Sequence, residues 1–293
     1  MSTNTTPQPE KSKKRNALPS RLFFLALIPL TFMFATGSFA QIPMPTISGL
    51  SWFPHADGTC TIEFRPLREE THWPPRVGAP FSALYEATVT QTLPTDVHVK
   101  NRGSYERLFR DSEGRGRREQ LLGSTGDETN GIFIVSIFDP VGGYQYIIDD
   151  QNRVAHRAPM KSNKPEQTSS GYPNLKAETD YSVRNSGPNT TYEYFKDQQM
   201  EGVPVIGRRV ISSYPAGFQD SGVPFTITME EWVCPELDLK VLDRRTDSRG
   251  TDRVFRMTNI NRSEPDASLF RVPEDYKVVD EPAGFTMTLR KKQ

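Results

Sequence analysis

Cysteine is nearly absent from this chain: 293 residues hold two, Cys60 and Cys234, with no Cys-x-x-Cys pair to suggest thiol exchange. Histidine is almost as scarce. His55, His72, His98 and His156 fall in three separate sections, never at metal-ligand spacing. A Gly-x-Ser-x-Gly elbow, an HExxH pair, a P-loop and a dinucleotide fingerprint are all missing. The sequence therefore nominates no catalytic residue, no metal and no cofactor. Neither charge sign dominates, with 36 basic residues against 36 acidic. Beyond residue 40 no apolar run could span a membrane as a helix, and no amphipathic helix of several turns is indicated.

What is present begins with an address. Lys11, Lys13, Lys14, Arg15 and Arg21 precede the uncharged "LFFLALIPLTFMFAT", followed by "GSFAQ" with Ser38 and Ala40 at −3 and −1 of a cut before Gln41. This layout predicts a secretory signal peptide over residues 1–40 and an exported protein, periplasmic or secreted. The competing reading is an N-terminal anchor in the inner membrane. Against it, the apolar run falls short of the ~20 residues a span needs and contains Pro29. Cleavage removes five of 36 bases and one of 36 acids, so 31 face 35 and the mature chain carries about −4. A mildly acidic exported chain is not an evident polyanion binder, and no nucleic-acid partner is expected. In an oxidising compartment Cys60 and Cys234 suggest a disulfide; two free buried thiols are the alternative.

Past the leader, residues 41–80 are proline-rich ("PMP", "HWPPRVGAP") and read as an arm lying over a core, with one strand at "CTIEF". Residues 81–160 read as a first β-meander, because proline-free, threonine- and aromatic-rich stretches alternate with Asp/Gly/Asn turns. Within it "GIFIVSIFDP" has the apolar run of a strand buried on both faces. Residues 161–192 are a polar, Gly- and Pro-rich loop. Residues 193–293 form a second meander in one domain with the first, ending in a short helical turn at "EPDASLFRVP", capped by Asp266, and a last strand at "GFTMTLRKK". The fold class is mainly β with few short helices, either one curved antiparallel sheet, half-barrel-like, or two packed antiparallel meanders.

Residues 105–120, "YERLFRDSEGRGRREQ", carry the densest charge. Asp111 and Gly114 sit where a tight turn wants them, so the stretch predicts a protruding, solvated hairpin with Tyr105, Arg107 and Phe109 on one face. Asp139, Asp149 and Asp150 read as turn residues rather than a hydrolase pair. Glu230 and Glu231 must point to opposite strand faces, and an arginine of "GRR" at 207–209 is the expected partner for whichever is buried. On the same strand, Phe225, Ile227 and Met229 alternate onto one face. These three with Trp232 are the candidate ligand-binding residues.

The segments "MEGVPVIGRRV", "EEWVCPELDLKV", "DSRGTDRVFRMTNI" and "EPDASLFRVPEDYKV" resemble uncharacterised exported bacterial proteins, in which E-G-V, E-x-W and L-F-x-V-P-x-D-Y elements recur in this order. The strand order and closing element also resemble, more loosely, the lipoprotein-carrier half-barrel that shelters acyl chains. That resemblance implies a non-enzymatic protein binding a lipid-like ligand or an envelope protein on a sheet face. Two alternatives are a hydrolase acting on envelope material through carboxylates such as Glu230 or Asp139, and a structural envelope protein.

Overall fold

In the computed structural model, residues 50–64, 76–93, 96–122, 131–160 and 189–290 are described. The signal peptide expected at 1–40, parts of the arm (41–49 and 65–75) and most of the polar loop (161–188) lie outside the described residues. The described residues belong to one unit, Gly37–Gln293.

Alternating sequence becomes strand almost throughout. The arm supplies β1 (Leu50–Pro54) and β2 (Thr59–Phe64), the latter being the expected "CTIEF" strand. The first meander is β3 (Phe81–Thr92), β4 (His98–Arg110), β5 (Gly116–Leu122), β6 (Ile132–Asp139), β7 (Tyr144–Asp149) and β8 (Val154–Pro159). The second is β9 (Thr190–Met200), β10 (Val203–Tyr214), β11 (Phe225–Cys234), β12 (Leu239–Asp247) and β13 (Thr251–Asn261). Two short strands follow, β14 (Lys277–Asp280) and β15 (Phe285–Arg290). Among the described residues, helical structure is confined to two 3-10 turns, Phe218–Asp220 and Ala267–Phe270. The second is capped as expected, with Asp266 accepting from the Ser268 amide at 2.8 Å.

The protein is mainly β and antiparallel, as expected, and the two meanders form one sheet. β3 pairs with β13, placing Val254 opposite Thr88, so they join edge to edge rather than packing face to face. The result is an open twelve-stranded sheet in the order β14-β8-β7-β6-β5-β4-β3-β13-β12-β11-β10-β9. One pairing is parallel: β14 returns along the edge of β8.

A second sheet, β1-β2-β15, covers part of one face of the first. Ile62, Phe64, Met287 and Leu289 from this small sheet share a core with Leu122, Ile134, Phe138 and Ile147 from β5 to β7. We call this covered side of the large sheet the front. On the back, Val135, Ile137, Ile148 and Ala155 pack against Val272 and Tyr276, from the segment joining β13 to β14. β6 is thus buried on both faces, as its apolar run, broken only by the buried Ser136, requires.

The charged stretch at 105–120 forms the expected hairpin, with Gly114 at φ 84° and its amide donating to Asp111 O at 3.1 Å. It is not the solvated protrusion that its composition suggests. Arg107 and Glu119 pair across the back at 3.3 Å. On the front Glu106, Leu108, Arg110 and Arg118 are all buried. The Arg110 guanidinium, 1% exposed, donates from Nε to Ala79 O at 2.9 Å and from Nη2 to Leu237 O. It lies 4.8 Å over the Phe81 ring. Charge alternating with apolar residues conceals such a strand, because the partners that bury it are distant in sequence.

The disulfide is also corrected. Cys60 and Cys234 are both free and buried. Cys60 lies in the core beneath the small sheet, while Cys234 lies in a separate cluster with Phe81, Leu108, Leu239 and Met257. Burial pushes both thiols up, which lowers their reactivity.

Candidate functional site

Directly opposed residues of an antiparallel pair share a sheet face, so register alone assembles the front of the second meander. One row runs Arg208, Glu231, Asp243, Phe255, Ala87, Ser104 across β10, β11, β12, β13, β3 and β4. The next row along the strands is Val210, Met229, Arg245, Arg253, Val89. Beyond it lie Ile227 opposite Asp247, and then Phe225 opposite Tyr214.

The first row is a chain of ion pairs. Arg208 Nη2 contacts Glu231 Oε2 at 2.8 Å, and Lys240 Nζ contacts Glu231 Oε1 at 2.7 Å and Asp243 Oδ2 at 3.0 Å. Lys240 reaches this face because the β11–β12 register shifts between Trp232 and Val233. Burial alone would pull the Lys240 ammonium down, but Glu231 and Asp243 together hold it above the usual lysine range. A second buried pair continues the polar row on the first meander. Arg118 Nη2 contacts Glu106 Oε1 at 2.6 Å, and the Ser104 hydroxyl donates to the same oxygen at 2.8 Å. Tyr85, opposite Glu106, stacks on Phe255 with centroids 6.1 Å apart. Burial, and then the Glu106 charge, raise its phenol so that it stays protonated.

Of the four candidate ligand residues, Phe225, Ile227 and Met229 share the front, as the alternation required. Phe225 sits in an aromatic cluster, stacked on Tyr214 at 4.8 Å with the Arg249 guanidinium 3.7 Å from its ring centroid. Trp232 is on the back. It opposes Gly207, where a Cβ would come within 2.5 Å of the indole. Its ring stacks on Phe195 at 5.1 Å, and its Nε1–H donates to Glu230 Oε1 at 2.7 Å.

The Glu230–Glu231 pair finds an arginine on each face. Arg208 meets Glu231 on the front, and Arg209 meets Glu230 on the back at 3.2 Å while also reaching Glu193 at 2.8 Å. The carboxylates considered for hydrolysis are engaged locally. Glu230 is held by Arg209 and Trp232. Asp139 accepts from the Val141 and Gly142 amides, and Asp149 from those of Gln151 and Asn152. Among the described residues, no group of three His, Cys, Asp or Glu side chains could hold a metal ion, and no helix is long and apolar enough to cross a membrane.

Sequence reasoning missed Lys240, Asp243, Arg245 and Arg253 on the front. A signal for two of them was present: Asp243, Arg245 and Asp247 alternate in "LDRRTD" as Phe225, Ile227 and Met229 do in β11. No protein-family model matches the sequence, and no curated protein is significantly similar to it.

Proposed function

We propose that the chain is an exported envelope protein that binds a lipid-like ligand on the front of its second meander. One observation carries this reading: a single sheet face sets an apolar bed (Val210, Phe225, Ile227, Met229) beside a row of mutually paired charges, with Phe225 covered by Tyr214, Phe218 and Arg249, side chains that an acyl chain would displace. An amphipathic ligand needs both, area for its chain and fixed polar groups to set its position. The looser carrier-like resemblance and the signal-like leader support the same reading. Glu230 and Asp139, the carboxylates named for hydrolysis, already serve an ion pair and a turn, which favours binding over catalysis.

A fluorescent fatty-acyl probe titrated into the full chain tests the proposal. Saturable binding is expected. Phe225→Ala on the front should weaken it several-fold with the far-UV spectrum intact, and Trp232→Ala on the back should leave it unchanged. Probe binding that is non-saturable, or that ignores Phe225→Ala, would sink the proposal. Export is tested separately by N-terminal sequencing of envelope-fraction protein. A chain beginning at Gln41 is expected, and an intact N-terminus on membrane-bound protein would replace cleavage with anchoring.

A further inference from the structure

Three loops leave the same end of the large sheet. Register fixes this: Thr92 pairs with His98, Thr251 with both Gln91 and Asp247, Asp247 with Ile227, and Tyr214 with Phe225. The β3–β4, β12–β13 and β10–β11 connections therefore sit side by side, at the far end of β4 from the Asp111–Gly114 turn. The middle turn is tied to both neighbours. The Thr92 amide donates to Gly250 O at 2.7 Å, and the Thr226 amide to Ser248 Oγ at 2.9 Å.

This end gathers exposed apolar side chains. Among the described residues eleven large ones are exposed, and five of them are here: Leu93, Val97 and Val99 on the β3–β4 hairpin, and Phe218 and Val223 on the β10–β11 loop. Val97 is 51% exposed and Val223 60%. Both loops hold these side chains in place. The Leu93 amide donates to Val97 O at 2.9 Å. Gly217 takes a left-handed φ of 88°, its amide donates to Ser221 O at 2.6 Å, and the Ser221 hydroxyl donates to Val223 O at 2.7 Å. Phe218 stacks on Tyr214 at 4.6 Å. Apolar side chains gathered in the open at fixed positions mark a contact surface.

The two apolar tips stand three strand spacings apart, about 14 Å, with the polar Ser248–Gly250 turn between them. Each tip offers two or three side chains, far short of the roughly 800 Å² per partner that a stable protein interface buries. A bilayer needs no contiguous area: each tip enters the acyl boundary on its own while the polar turn stays among the headgroups. Charge points the same way. Lys100, Arg249 and His98 face Asp96, Asp220 and Asp247, and Arg249 is bridged to Asp247 at 2.6 Å, so this end has no positive excess to select anionic lipid.

We infer that this end of the sheet docks on a lipid bilayer, with Leu93 and Val97 at one tip and Phe218 and Val223 at the other entering the interface. The inference goes beyond the proposed function: it shares the envelope location and is independent of an acyl ligand on the front. Fully burying one such side chain is worth roughly tenfold or more in partition, so the tips together bind without net charge.

Cys60 and Cys234 are buried, so a cysteine introduced at the surface can be labelled selectively. The experiment labels full-length Val97→Cys, Val223→Cys and, at the opposite end, Val141→Cys chains with a nitrobenzoxadiazole fluorophore. Each is mixed with phosphatidylcholine vesicles, with and without phosphatidylglycerol. Labels at positions 97 and 223 should shift to the blue and be quenched by spin-labelled lipid, in both vesicle types and equally at low and high salt. The label at position 141 should not respond. Phe218→Ser with Leu93→Ser should raise the lipid concentration at half-response of the Val223→Cys label at least tenfold, with the far-UV spectrum unchanged. Labels at 97 and 223 that stay in water, or a response that survives the double substitution or requires phosphatidylglycerol, overturn the docking surface. So does a shift that appears on concentrating the protein without lipid, which makes this end a contact between copies. Binding of the fatty-acyl probe is read separately: it stands if only docking fails, and docking stands if only the probe fails to bind.

Discussion

Arg110 is the sharpest test of how this fold is held together. Its guanidinium ties three segments: its own strand β4, the stretch before β3 through Ala79 O, and the β11–β12 turn through Leu237 O. Losing one guanidinium–carbonyl bond in a buried site costs ~1.5–3 kcal/mol, so losing both costs ~3–6 kcal/mol. The charge itself opposes folding. Burial holds the Arg110 pKa down to about 10 against 12.5 for a free arginine, with Asp238 partly offsetting, and that penalty is about 3 kcal/mol. Arg110→Met keeps most of the volume, removes the donors and relieves the penalty. Adding ~1 kcal/mol for the lost contact over the Phe81 ring, we expect it to lower stability by ~1–4 kcal/mol in urea denaturation, with the midpoint shifted and the slope unchanged. Arg110→Ala should cost ~2 kcal/mol more, because a cavity is added to the lost bonds. A methionine variant as stable as the parent, or more stable, would refute the reasoning. It would show that desolvation outweighs the clamp, as happens for some buried ion pairs.

The neighbouring arginines of β10 should behave differently. Arg208→Met, in the buried row with Glu231, should cost ~3 kcal/mol, whereas Arg209→Gln on the half-exposed back should cost under ~1 kcal/mol; equal losses in denaturant unfolding would contradict this assignment of faces. Gly207→Ala drives a Cβ into the Trp232 ring and should destabilise by ~1–3 kcal/mol, while a neutral result would mean the indole moves aside. The Asp247 carboxyl is held below its usual 3.8, chiefly by the Arg249 side chain, so its contribution is present above pH 3.8 and lost as pH falls through the lower folded value. Asp247→Asn should therefore be less stable than the parent at neutral pH and converge with it in acid; a constant gap at all pH values would mean the charge is not the cause. Thiol titration without reductant should find two reactive cysteines after unfolding, and none would show that Cys60 and Cys234 are bridged.

Local chemistry made much of this fold legible. The Asp111–Gly114 turn, the Asp266 cap, the two-sided burial of β6 and the one-sided alternation of β11 each depend on residues within a few positions of one another. The same alternation already separates even-numbered Trp232 from Phe225, Ile227 and Met229, so its place on the back could have been read directly. What stayed hidden is non-local. Glu106, Arg110 and Arg118 look like solvated charges until the opposing strand and the segments around Ala79 and Leu237 surround them. The Arg245–Arg253 opposition exists only once β12 and β13 are in register, and the turn joining them fixes that register.

The small sheet has a consequence for the time course of folding. Its central strand, β2, lies early in the chain, yet one of its two partners is β15, with Phe64 paired to Phe285. The back of β6 likewise waits for Val272 and Tyr276. While the chain emerges in order, the first meander can hairpin upon itself, but both of its apolar faces stay open until the segment from about residue 267 onward arrives. Closing so long a loop is entropically costly and slow, so the half-made protein is an exposed, adhesive intermediate whose protection comes last. A chain interrupted just after β13 would keep the Arg245–Arg253 register and lose the covers of the other half. The strands that shape the proposed site and the strands that guard the fold from aggregation are thus acquired at different moments.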